Sequence, residues 1–168
     1  MSDLNGLHLA ISATLETALA QLATVGSYAA VQQETALPAL FYGIVGLKPG
    51  TDPGDGHSRV IATFEARIST DGTRPQAVLE AVSLAAQLMV LLRKQYWNID
   101  FVEEARSVQA LPSSTAPTTW VVQWEQVLHL GEAQWPWPNQ PPGSLLLSFD
   151  PDTGPGHESD YKSAEDFA

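Results

Sequence analysis

The segment RVIATFEARIST, from Arg59 to Thr70, constrains the fold more than any other stretch of the chain. Val60, Ala62, Phe64, Ala66 and Ile68 alternate with Arg59, Ile61, Thr63, Glu65 and Arg67. Successive side chains of a strand point to opposite faces, so this spacing predicts a strand with one face on a core and the other mostly wet. Upstream, LPALFYGIVGL from Leu37 is almost continuously apolar and predicts a strand buried on both faces. The linking segment, PGTDPGDGHSR from Pro49 to Arg59, is rich in turn formers. Gly50, Gly54 and Gly56 supply positive φ, Pro49 and Pro53 pre-set a turn, and Asp52 and Asp55 can bond their own backbone. The expectation is an antiparallel hairpin with a long loop.

Neither a metal site nor a phosphate loop fits that segment. Asp52, Asp55 and His57 are potential metal ligands, but they lack the alternate positions and distal glutamate of a calcium loop. Zinc sites pair His and Cys at fixed spacing, whereas His8, His57, His129 and His157 are scattered singly and the chain has no cysteine. A phosphate loop needs Lys and then Ser or Thr after its last glycine, followed by a helix; here His57 and Ser58 lead into a strand. No metal and no cofactor are expected.

Residues 2–25 read as an amphipathic helix capped by Ser2 or Asp3, with Leu4, Leu7, Ile11, Leu15, Ala18, Leu22 and Val25 in one stripe and Gly26 and Ser27 ending it. A second helix is expected in TRPQAVLEAVSLAAQLMVLLRKQYW, with Pro75 in its first turn and Arg93 and Lys94 in its last. Val78, Val82, Ala85, Met89 and Leu92 form one stripe, and Leu84, Leu88 and Leu91 another. A helix apolar over so much of its circumference must be covered on more than one side, by the sheet and by either the first helix or a neighbouring subunit.

Residues 101–110 are a weaker strand candidate. TTWVVQWEQVLHL is a stronger one, placing Trp120, Val122, Trp124, Gln126 and Leu128 on one face. SLLLSF predicts a last short strand before an irregular acidic end. The fold class expected is α+β: two main helices packed on a mostly antiparallel mixed sheet, with a long-loop hairpin. One domain spans 1–149, and 150–168 is an acidic extension.

Net charge is −11, from 19 acids against 8 bases, a balance that repels phosphate backbones and lacks the clustered Lys and Arg that sequence-independent DNA affinity needs. No sequence-specific nucleic-acid binding is expected either. No apolar run is long enough to span a bilayer, and no membrane partner is expected. MSDLNGLHLA has an acid and no base ahead of its apolar residues, unlike a secretory signal, so folding in the cytoplasm is expected. No nucleophile elbow is present, and the adjacent Glu103 and Glu104 would diverge on a strand. No catalytic residue is expected. Trp120 and Trp124 suit core packing, while Trp135 and Trp137, in the proline-rich loop GEAQWPWPNQPPG, suit a protein contact or a loop folded over the core.

The chain resembles the tail terminator (tail completion) proteins of tailed bacteriophages and prophages, particularly the Mu-like type. The resemblance lies in LPALFYGIVGLKPGTDPGDGHSRVIATFEARIST, PQAVLEAVSLAAQLMVLLRKQYWN, WVVQWEQVLHLGE and SFDPDTGPGHESDY, and in their order. It implies a structural virion protein of the phage tail, assembled in the host cytoplasm. Such proteins form a hexameric ring that binds the last ring of the tail tube protein, stops polymerisation and offers a surface to the head-tail connector protein. DNA passes through the bore, where a negative wall keeps phosphate from adhering. Within that frame the interface residues expected are Pro49, Asp52, Asp55, His57 and Arg59 in the hairpin, and Trp135 and Trp137. The competing readings are a related connector or tube subunit, or a small acidic protein-binding inhibitor.

Overall fold

The computed structural model describes residues 4–52, 54, 56–131 and 146–163. The chain divides into two compact units, Met1–Gln134 and Trp135–Ala168, a division that falls earlier than the 149/150 boundary drawn from sequence.

The first unit contains helix α1 (Leu4–Ala18), strands β1 (Thr24–Ser27), β2 (Ala39–Pro49) and β3 (Ser58–Ser69), helix α2 (Ala77–Leu92), and strands β4 (Arg106–Pro112) and β5 (Thr119–Leu130). Its open sheet runs in the order β1-β2-β3-β5-β4. β1 pairs parallel with β2; the other three pairings are antiparallel. This is the expected α+β fold on a mixed sheet. β2 and β3 form the expected hairpin, with a bulge between Ile44 and Gly46. Only the first half of β2, through Gly43, is buried on both faces; beyond the bulge the strand opens to solvent.

One sheet face carries the core. Leu40, Tyr42, Ala62, Phe64, Ala66, Ile68, Val122, Trp124 and Leu128 face Leu7, Ile11 and Leu15 of α1, and Leu84, Ala85, Leu88 and Leu92 of α2. Phe64 stands opposite Trp124 in the ladder, and their rings stack with centroids 5.1 Å apart and planes 5° from parallel. Trp120 packs at the edge of this core, as expected.

Gln126 lies within the same face and is buried. Its Oε1 accepts from the indole N–H groups of Trp97 (2.7 Å) and Trp124 (3.0 Å). Its Nε2 donates to the carbonyls of Gln95 and Glu103, both at 3.0 Å. One amide thus satisfies two buried indoles and ties the chain after α2 to the sheet.

Four sequence expectations need correction. The first helix ends at Ala18 rather than at residue 25; Leu22 packs on the core from beyond the turn, and Val25 belongs to β1, paired with Leu40. Gly26 and Ser27 likewise extend a strand instead of ending a helix. On α2 the buried residues are Ala77, Ala81, Leu84, Ala85, Leu88 and Leu92, so Val78 and Met89 of the expected first stripe face outward. Arg93 and Lys94, expected in the last turn of α2, lie outside it: Arg93 caps the helix and Lys94 follows at φ 58°, in the left-handed region that commonly ends a helix. Finally, the weak strand runs from 106 to 112 instead of 101 to 110.

Among the described residues of the second unit, β6 (Leu146–Leu147) pairs antiparallel with β7 (Lys162–Ser163), and a single 3-10 turn spans Glu158–Asp160. Of the expected strand SLLLSF, Ser144 and Leu145 lie outside the described residues, and Leu146–Leu147 form β6.

Candidate functional site

The hairpin end of the sheet was the site expected from sequence. Gly54 and Gly56 take φ of 78° and 87°, as a turn requires. The Gly54 N–H bonds Asp52 Oδ1 at 2.8 Å, the expected side-chain turn. Gly50 serves differently. Its N–H bonds the Arg59 carbonyl at 2.7 Å, and a Cβ there would sit 3.1 Å from that carbonyl oxygen. The glycine therefore permits close approach of two backbones and supplies no positive φ. Pro49 and Asp52 are exposed. Asp55, Trp135 and Trp137 lie outside the described residues.

Arg59 and His57 enter a charged cluster. Arg59 stands opposite His129 in the β3/β5 ladder, and the His57 ring meets the His129 ring edge-on, 6.5 Å between centroids. Glu103 stands next to both. Its Oε1 receives Arg59 at 2.8 Å and lies 3.0 Å from His129 Nε2, and its Oε2 receives Arg106 at 2.9 Å. Burial works against the charged Glu103 carboxylate, but the bonds from His129 and Arg59, with the Arg59 and Arg106 charges, together hold its pKa below the usual range. No spacing in the sequence marks Glu103 and Arg106 as partners of the loop; only the long-range register reveals them.

The cluster continues along the sheet face away from the helices. Lys48 bonds Glu125 at 2.6 Å, Arg67 bonds Glu65 at 2.8 Å, and Gln123 links Glu65 to Gln109. Each of these cations is matched by a carboxylate on the same face. Such a face is hydrated and self-satisfied, and exposed pairs of this kind contribute little to stability.

The outward side of α2 is different. Val78, Leu79, Met89 and Val90 are exposed, with Leu79 at 65% and Val90 at 76%. Positions 79, 86 and 90 fall on one side of a helix, beside 78, 82 and 89, so the apolar surface is continuous along its length. At its C-terminal end an open cleft of about 590 Å³ is lined by Met89, Val90, Arg93, Lys94, Glu104, Ala105, Arg106, Ser107 and Val108. Arg93 and Lys94 form no ion pair among the described residues.

The second unit brings Asp152, His157 and Asp160 together, their possible ligand atoms within 4.8 Å of one another. His157 Nδ1 is already bonded to Asp160 at 3.0 Å, so the group has an internal partner.

Compared with protein-family models and with curated proteins, the chain matches no family and no individual protein.

Proposed function

We propose that this chain is a structural, self-assembling protein that closes into a ring and caps a phage tail tube, ending its polymerisation and offering the head-tail connector a docking surface. The observation that carries the reading is the apolar outward face of α2. Its inner face is committed to the core through Ala81, Leu84, Leu88 and Leu92, yet Val78, Leu79, Met89 and Val90 remain in water. A continuous apolar surface on a helix is a contact surface, and a second copy is the occupant proposed. The sequence resemblance to tail terminators supplies the kind of assembly.

Charge supports the same reading. With −11 overall and its sheet-face cations paired with carboxylates, a ring of this chain would present a surface that repels DNA in transit. The hairpin loop, with Asp52 and Gly54 exposed, follows the last β2/β3 pair, Pro49 with Val60, and is the part proposed to reach a neighbour or the tube. Deleting 51–56 should leave a folded protomer that no longer caps.

Electron microscopy of tails assembled without this protein tests the proposal. Over-long tubes are expected. Tailless capsids beside tubes of normal length would make it a connector instead, and an absence of tubes would make it a tube subunit.

A further inference from the structure

The cleft at the end of α2 and the exposed part of the second unit are opposite in charge and alike in being apolar. The cleft gathers three of the chain's eight bases, Arg93, Lys94 and Arg106, with one of its nineteen acids, Glu104, beside Met89, Val90, Ala105 and Val108. Arg106 is partly neutralised by Glu103, which leaves Arg93 and Lys94 as the main positive charges. Both lie at the helix C-terminus, where the dipole favours cations, but that places them without neutralising them.

In the second unit, Leu146, Leu147 and Phe149 are exposed, Phe149 at 68%, and the acids Asp150 and Asp152 follow directly. Lys162 pairs with Leu147 in the ladder and is the one base among the described residues there; Asp160 is engaged by His157. The net character is apolar and negative.

We infer that the α2/β4 cleft of one copy receives the 146–152 segment of a second copy, with apolar side chains on Met89 and Val90, and Asp150 and Asp152 facing Arg93 and Lys94. The inference rests on the self-assembly proposed above and deepens it by naming the two surfaces. They are different patches, so the contact is head-to-tail: it propagates from copy to copy and yields a ring when the rotation closes. Opposite charge at the rim sets the register and speeds encounter between molecules whose overall charges repel.

The test is a charge swap in the full-length protein, read by sedimentation velocity across protein concentrations. Arg93→Glu with Lys94→Glu should weaken assembly by about tenfold, and so should Asp150→Lys with Asp152→Lys. Because the second pair lies outside the unit that holds the core, its effect does not depend on the stability of α2. Combining all four substitutions should restore most of the loss. Wild-type-like assembly by both swapped proteins overturns the inference while leaving self-assembly standing. Weakening without restoration also overturns it, since the charges would then not face one another. A wild-type chain that stays a single protomer throughout removes the assembly reading itself and the inference with it.

Discussion

Glu103 binds Arg59 at 2.8 Å across 44 residues of sequence, and the same carboxylate holds Arg106 and His129. The base of the long-loop hairpin is thereby fastened to the segment leading into β4. The Arg59 guanidinium is thereby paired within its own protomer, while Asp52 and Gly54 of the loop are exposed.

Replacing Glu103 by Gln should cost about 1 kcal/mol in urea unfolding near neutral pH, because the half-buried Arg59 loses its counter-charge while the exposed Arg106 adds little. The pH dependence has a definite sign. The folded-state pKa is depressed, so the stabilisation is fully present above the unfolded-state carboxylate value of about 4.3 and is lost as pH falls through the lower folded value. The stability gap between wild type and variant should therefore be widest above about pH 5.5 and close in acid. A gap that is constant from pH 3 to 7 would contradict this assignment.

Gln126→Ala should be among the most damaging single changes, at about 3–5 kcal/mol, since it leaves two indole N–H groups and two carbonyls without their partner. Gln126→Glu should also destabilise, by turning an oxygen toward the Gln95 and Glu103 carbonyls. Thermal melts and Trp fluorescence of the two variants test this. Near-wild-type stability of Gln126→Ala would show that the buried indoles find other acceptors.

Tyr28 crosses the edge of β2 where Gly43 leaves room. A Cβ on Gly43 would lie 2.9 Å from the Tyr28 ring, whose hydroxyl accepts from the Ile44 N–H at 3.3 Å and bonds His8 at 3.1 Å. Gly43→Ala should displace the ring and cost about 1 kcal/mol, as should Tyr28→Ala. The double variant should cost little more than either alone, because both remove the same contact. Full additivity in denaturant titrations would sink the idea.

The two sides of α2 should respond to substitution in opposite ways. Leu88→Ala, in the core, should cost about 2–5 kcal/mol of protomer stability. Leu79→Glu and Val90→Glu should leave protomer stability within about 0.5 kcal/mol and abolish self-association. Loss of folding in the exposed pair would mean that the outward face is needed by the protomer itself.

Legibility from sequence followed the range of the interactions. Strand β3 could be read with its buried face, because alternation is a local property of five apolar residues and their polar neighbours. The face of β5 could be read likewise, including the inward position of Gln126, though not the four bonds that position makes. The spacing overstates the first helix because Leu22 and Val25 continue it; Val25 instead answers to Leu40, a parallel partner with no local signature. α2 was recognisable but its rotation was not. With Val78, Val82, Leu84, Leu88, Met89 and Leu91 all apolar, the pattern does not distinguish core from surface, and tertiary packing chose Leu84 and Leu88. The Arg59–Glu103–His129 cluster depends on a register between distant strands, which no spacing within one segment reveals.

The mass of the purified full-length protein in solution tests the central claim most directly. Sedimentation velocity over a wide concentration range should reveal one closed species at a fixed whole-number multiple of the 18.1 kDa protomer. It should dissociate when Leu79 and Val90 are replaced by Glu. A protomer of 18.1 kDa at every concentration, unchanged in the presence of tail tube protein, would contradict the account.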